Sequence, residues 1–320
     1  MTMYLGSDDF ISVDGLNESL KKLLESPNTI ALYAPWYVAD RDSKDDPLQK
    51  SSFELGHDYL FPRGDHASLL NLVLAQQIFP EIFIFRTSAL KLMNFKIENT
   101  IAFWAFVLVS DFLSHGDVLF AKRPFYTCII HYFKDEGRIT EGGREVKTAW
   151  DFYRGGLEYM TAKVADRLDE QNAFVVSKLI NVFVKNRMIA AIDNRIKTND
   201  NPVDVYFLAS RLVGLGQKKY LPLSFNEIRT RAAIWYLGND ANLTKGMDRI
   251  LLVGKMDEML VDLVRAYANL PVECTLELDR NVNNSICLVS ELKFSEQVIN
   301  DFEEAGNVIF VQNQLMRMFP

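Results

Sequence analysis

The apolar residues of this 320-residue chain change period twice, and those changes limit what it can fold into. Up to about residue 146 they gather in short β-branched or aromatic runs: Thr29–Tyr33, Glu81–Arg86 and Val118–Phe120. Such runs, bounded by turn residues, read as buried strands. From Trp150 the spacing becomes helical, through Tyr153, Leu157, Met160 and Val164. Phe174, Leu179, Val182, Phe183 and Met188 suggest a second helix, Val205, Leu208 and Leu212 continue the pattern, and Ile228–Leu237 offers another. Strand signals return at Ile250–Gly254, Val272–Leu278, Ile286–Val289 and Val308–Val311, with helices expected near 257–268 and 295–304. The expectation is an α/β protein in three parts: an incomplete α/β domain over 1–146, a helical region over 147–240 and a small α/β module over 241–320. The strongest apolar stretch, Ile101–Val109, is too short to span a bilayer and reads as a buried helix.

Chemistry enters at the start of the chain. Leu5-Gly6-Ser7-Asp8-Asp9-Phe10 is an apolar strand end followed by two carboxylates, and an amphipathic segment from Asp14 to Leu24 comes next. An α/β protein places acidic ligands in this way at the carboxyl edge of a sheet. Adjacent carboxylates there can hold a hard divalent cation, which can neutralise a diphosphate. The same residues also suit a plain polar turn in which Asp14 caps a helix. Further on, Asp65 is placed to cap the apolar segment that begins at His66.

The acidic turn resembles the middle of a family 2 glycosyltransferase of GT-A fold. The resemblance continues through Ile30-Ala31-Leu32-Tyr33-Ala34-Pro35-Trp36, then Phe79-Pro80-Glu81-Ile82-Phe83-Ile84-Phe85-Arg86, and ends in His115-Gly116-Asp117-Val118-Leu119-Phe120-Ala121-Lys122-Arg123-Pro124-Phe125-Tyr126. It covers about residues 4–132, through the order and spacing of its blocks. It implies a sugar passed from a nucleotide-sugar donor to an acceptor hydroxyl on a glycan or cell-surface polymer, with inversion. By the same resemblance Asp8 and Asp9 bind the donor diphosphate through Mg²⁺ or Mn²⁺, with His131 as a third ligand. The chain departs from the family at Ser7, where an Asp commonly stands, and at Trp104-Ala105, where a Glu-Asp pair carries the base. Glu81 and Asp111 are the carboxylates left for that role; Asp111 could instead pair with Arg86 or Arg123, or face solvent. Only four residues precede the acidic turn, where the family has a nucleoside-binding half of roughly 60–100 residues, at about 30 per βαβ unit. A start further upstream, a partner chain supplying that half, or a catalytically inactive scaffold or interaction subunit would each account for this.

Composition narrows the field. A net charge of −7 argues against nucleic acid as a general partner. Cys128, Cys274 and Cys287 are far apart and lack metal spacing, which suits a reduced cytoplasmic setting. The chain has no Gly-x-Ser-x-Gly elbow, His-Glu-x-x-His, Cys-x-x-Cys or Walker motif. Val253-Gly254-Lys255-Met256-Asp257 opens like a nucleotide-binding turn without its further glycines, so docking or self-association is expected of the C-terminal module.

Overall fold

The structure is a computed structural model, and it describes residues 1–3, 9–40, 50–92, 101–130, 145–277, 279, 281–290 and 296–319. The mixed α/β character is as expected. The chain forms two compact units, 1–187 and 188–320.

The first unit is built on a five-stranded sheet. In spatial order its strands are β1 (Thr2–Met3), β7 (Phe83–Phe85), β3 (Thr29–Tyr33), β8 (Asp117–Phe120) and β6 (Tyr59–Phe61). Its centre is the parallel pair β3–β8, with Leu32 opposite Leu119 and Tyr33 opposite Phe120. These are the expected apolar runs, and a strand buried on both faces has no polar alternation to show. β1, β7 and β6 are antiparallel to their neighbours.

A second sheet stands off the carboxyl edge of that pair. It orders β2 (Phe10–Ile11), β9 (Tyr126–Ile130), β4 (Trp36–Asp40) and β5 (Lys50–Ser51). β3 passes into β4 through Ala34-Pro35, and β8 passes into β9 through residues 121–125, so the parallel pairing is handed from one sheet to the next. One apolar core joins them, made of Leu23, Leu32, Ile82, Ile84, Phe125 and Tyr126 among others.

Helix α1 (Val13–Glu25) buries Leu23 and packs Leu16 and Leu20 against that core. Its N-cap is Ser12, whose hydroxyl accepts from the Gly15 N–H at 3.2 Å. Asp14, the expected cap, lies inside the first turn, where a carboxylate favours the helix dipole. The other end is closed by Arg86, which donates to the carbonyls of Leu23, Ser26 and Thr29 at 2.6, 3.2 and 2.8 Å. In α2 (His66–Gln76) the expected cap forms, with the Asp65 carboxylate accepting from the Ser68 N–H at 3.3 Å. Helix α3 (Trp104–His115) is the buried helix expected around Ile101–Val109, begun three residues later. Helix α4 (Ala149–Ala162) lies against it because Gly155 and Gly156 carry no side chains. A Cβ on Gly155 would stand 2.2 Å from the Ile101 carbonyl oxygen, and one on Gly156 would stand 2.8 Å from the Phe106 ring. The boundary between the two units falls inside the next helix, α5 (Glu170–Lys197), so the helical region of the sequence is shared between them.

The second unit contains α6 (Pro202–Gly214), α7 (Phe225–Asn239) and a four-stranded, wholly parallel sheet. The strands β10 (Arg249–Val253), β11 (Val272–Thr275), β12 (Ser285–Val289) and β13 (Val308–Val311) lie in the order β11-β10-β12-β13. Helices α8 (Glu258–Tyr267) and α9 (Glu296–Glu304) make the crossovers, which gives two βαβ units as the spacing suggested. Buried Asn307 ties the sheet's lower turn together: it accepts from the Ser285 N–H at 2.8 Å and donates to the Val282 and Phe302 carbonyls at 2.8 and 3.1 Å.

Candidate functional site

Of the residues singled out by sequence, Glu81 stands at the carboxyl edge of β3–β8. Because β7 runs antiparallel to β3, its entry lies beside the exit of β3: Phe83 faces Tyr33, and the Ala34 N–H donates to the Ile82 carbonyl at 3.1 Å. Glu81 stands just before that entry. β1 is antiparallel to β7, with Met3 facing Ile84, so β1 ends at this same edge.

Asp9 stands directly before β2. Its carboxylate accepts from the Tyr126 hydroxyl and from the Ile129 N–H, the latter at 2.9 Å, both on β9. Each carboxylate oxygen has two acceptor positions, so this anchoring leaves one on each free for a cation. Asp8 and His131 lie outside the described residues, as do Ser7 and the acidic loop at 41–47. Among the described residues no group of three His, Cys, Asp or Glu side chains could hold a metal ion.

Glu81 is the most perturbed carboxyl at this edge. Part of its surface is open, yet protein encloses it closely enough that burial pushes its carboxyl from 4.5 up to about 7. The Arg187 guanidinium pulls the other way, and Glu145 adds to the rise. Burial, with the Glu81 charge next, pushes the neighbouring Tyr153 hydroxyl to about 12. Arg187 is seated on aromatic rings, 4.4 Å from the centre of Phe79 and 5.7 Å from that of Tyr153. A carboxyl near 7 can take or give a proton at neutral pH, as a general acid or base must.

Asp111 belongs to a different group. It sits on α3, where its Oδ1 accepts from the hydroxyl of Tyr159 on α4 at 2.6 Å and lies 3.4 Å from Nζ of Lys163, the C-cap of that helix. Neither cation considered from sequence reaches it: Arg86 serves backbone carbonyls, and Arg123 pairs with Glu18 at 2.6 Å. Nearby, His66 rests between the Ser110 and Ser114 hydroxyls, and burial with the charges of Lys163 and Arg167 lowers its pKa. Asp117 is a turn residue, as expected, accepting from the Arg63 N–H at 2.8 Å.

Sequence reasoning missed Arg187 and Glu145, and it took Tyr153 for core alone. No local signal marked Arg187: it follows Phe183 by one helical turn, but only the fold packs Phe183 on Phe79, with ring centres 4.8 Å apart. The residue that covers Phe79 next along that face is therefore a cation.

Compared with protein-family models and with curated proteins, the chain matches none. No helix among the described residues is long and apolar enough to cross a membrane.

Proposed function

We propose that this chain is a glycosyltransferase of the family 2 type, passing a sugar from a nucleotide-sugar donor to an acceptor hydroxyl on a glycan or cell-surface polymer. The observation that carries this reading is Glu81: a carboxyl near 7, at the sheet edge where β1 also ends. Glu81 takes the proton of the acceptor hydroxyl. Asp9, oriented by Tyr126 and Ile129, offers its remaining acceptor positions to Mg²⁺ or Mn²⁺, with Asp8 and His131 as the further ligands that the family resemblance implies. The cation, when bound, neutralises charge on the departing nucleoside diphosphate.

A second reading has its own observation. Both Asp9 oxygens already serve β9, and a carboxylate used this way also suits a scaffold or interaction subunit with no donor to bind. Calorimetric titration with UDP- and GDP-sugars in Mn²⁺ separates the two readings. The transferase reading expects saturable binding that Asp9→Ala abolishes and Glu81→Gln retains, with transfer lost in Glu81→Gln. No binding by a chain that melts cooperatively would refute it in favour of the scaffold.

A further inference from the structure

We propose that the outer face of the second sheet is a platform for an extended, β-linked chain of uncharged sugars, the polymer that carries the acceptor hydroxyl. Calling that polymer the acceptor rests on the transferase reading; its binding does not.

The platform is one cross-strand row. Phe10 on β2 is paired with Thr127 on β9, Tyr37 on β4 is paired with the same Thr127, and Ser51 on β5 is paired with Tyr37. Directly paired residues project to one face of a sheet, and the next residues along each strand project to the other. The adjoining row of Ile11, Tyr126 and Trp36 packs on the core, so Phe10, Thr127, Tyr37 and Ser51 face outward. Phe10 is 66% exposed and Tyr37 37%. Neither ring stacks on another ring or a cation among the described residues, whereas Trp36 on the inner face packs edge-on against Phe53 with centres 6.0 Å apart. The Thr127 hydroxyl between the two rings hydrogen-bonds nothing among the described residues. Ser51 donates to the Phe53 carbonyl at 2.6 Å, which leaves its oxygen free to accept.

The make-up of the row selects its occupant. It carries no charge, which disfavours an ionic partner, and it sets hydroxyls beside rings, as a sugar sets hydroxyls beside apolar C–H faces. Those C–H groups lie well against the negative face of an aromatic ring, and the sugar hydroxyls match Thr127 and Ser51. Phe10 and Tyr37 stand two strand spacings apart, about 10 Å, which is the length of a disaccharide in an extended chain. In a β-linked ribbon every second sugar presents the same face, so each ring takes one such sugar. An α-linked chain coils and cannot follow the sheet.

The test is calorimetric titration of the intact chain with cellohexaose and chitohexaose, with the α-linked maltohexaose as control. A β-linked hexaose should bind saturably and maltohexaose should not. Phe10→Ala and Tyr37→Ala, both at exposed rings, should each weaken binding by about tenfold or more. Thr127→Val should weaken it by about threefold or more. Should one variant fail to melt cooperatively, the other two carry the test with the same signs. No binding of either β-linked hexaose, equal binding of maltohexaose, or affinities unmoved in the folded variants overturns the proposal. So does sedimentation that shows a dimer which Phe10→Ala turns into monomer, because a second copy then covers the row. No donor is present in the titration, so the two readings fail separately. Hexaose binding without nucleotide-sugar binding sinks only the transferase, and the reverse sinks only the platform.

Discussion

Replacing Glu81 with glutamine should stabilise the first unit, increasingly as pH rises from about 4.5 to 7 and fully above that. The folded carboxyl titrates near 7 against 4.5 for the free group. Below about pH 4.5 both folded and unfolded chains hold the proton, and the linkage is silent. Between 4.5 and 7 the unfolded chain releases it first, so the wild type loses stability as pH rises; above 7 the loss is complete. At about 1.4 kcal/mol per pH unit the gap amounts to about 3 kcal/mol. The open part of the Glu81 surface lets water relieve some of that, which leaves about 2 kcal/mol. Glutamine has nearly the same shape and no charge to bury, so it escapes the loss. Urea unfolding of wild type and Glu81→Gln at pH 5, 6, 7 and 8 should give curves that diverge with pH. At pH 8 the variant should melt roughly 4–8 °C higher, at about 2–4 °C per kcal/mol for a unit of this size. Stability curves that stay parallel from pH 5 to 8 would refute the reasoning, because a carboxyl with an ordinary titration has nothing to gain from neutralisation in that range.

Two packing predictions are independent of function. Gly155→Ala gains about 1 kcal/mol of helix propensity but drives a methyl group toward the Ile101 carbonyl, and backbone that must move costs about 1–3 kcal/mol. A net loss of up to about 2 kcal/mol is expected in thermal melts, and a stabilised variant would mean that α4 stands further from residue 101. Asn307→Ala strips three hydrogen bonds from a residue only 4% exposed and should cost about 2–4 kcal/mol in urea unfolding of the second unit. An unchanged midpoint would show that water satisfies the Ser285, Val282 and Phe302 groups.

What could be read from sequence was what short-range physics decides. The buried runs 29–33 and 118–120, the strands and helices of the last 75 residues and the Asp65 cap all follow from spacing within one or two turns. Ser12 competed with Asp14 for the same cap two residues away, a distinction that propensity does not make. The second sheet was harder to see, since β2 and β5 are two residues each and β4 begins directly after Pro35. Such strands exist because partners supply their hydrogen bonds, and pairing leaves no local mark. The candidate site divides in the same way. Glu81 was found through its place before a strand. Its controlling charges come from helices that follow in the chain by many tens of residues, where no periodicity points back to it. Asp111 was recognised as a carboxylate near the edge, but its engagement with Tyr159 and Lys163 depends on how α3 meets α4.

The pairing of β2 and β4 with β9 also has a consequence in time. Asp9 and Ile129 are 120 residues apart, and the hydrogen bond between them cannot form until both have been made. At about 5–20 residues per second, roughly ten seconds of synthesis separate the two. Throughout that interval the apolar face of α1 and the edges of β3 and β4 have no β8 or β9 to cover them. Topologies closed by such distant contacts fold slowly and stay exposed to aggregation while they wait. Slower growth at lower temperature, or a chaperone that shelters the nascent segment, should therefore raise the yield of this protein more than any change to its finished surface.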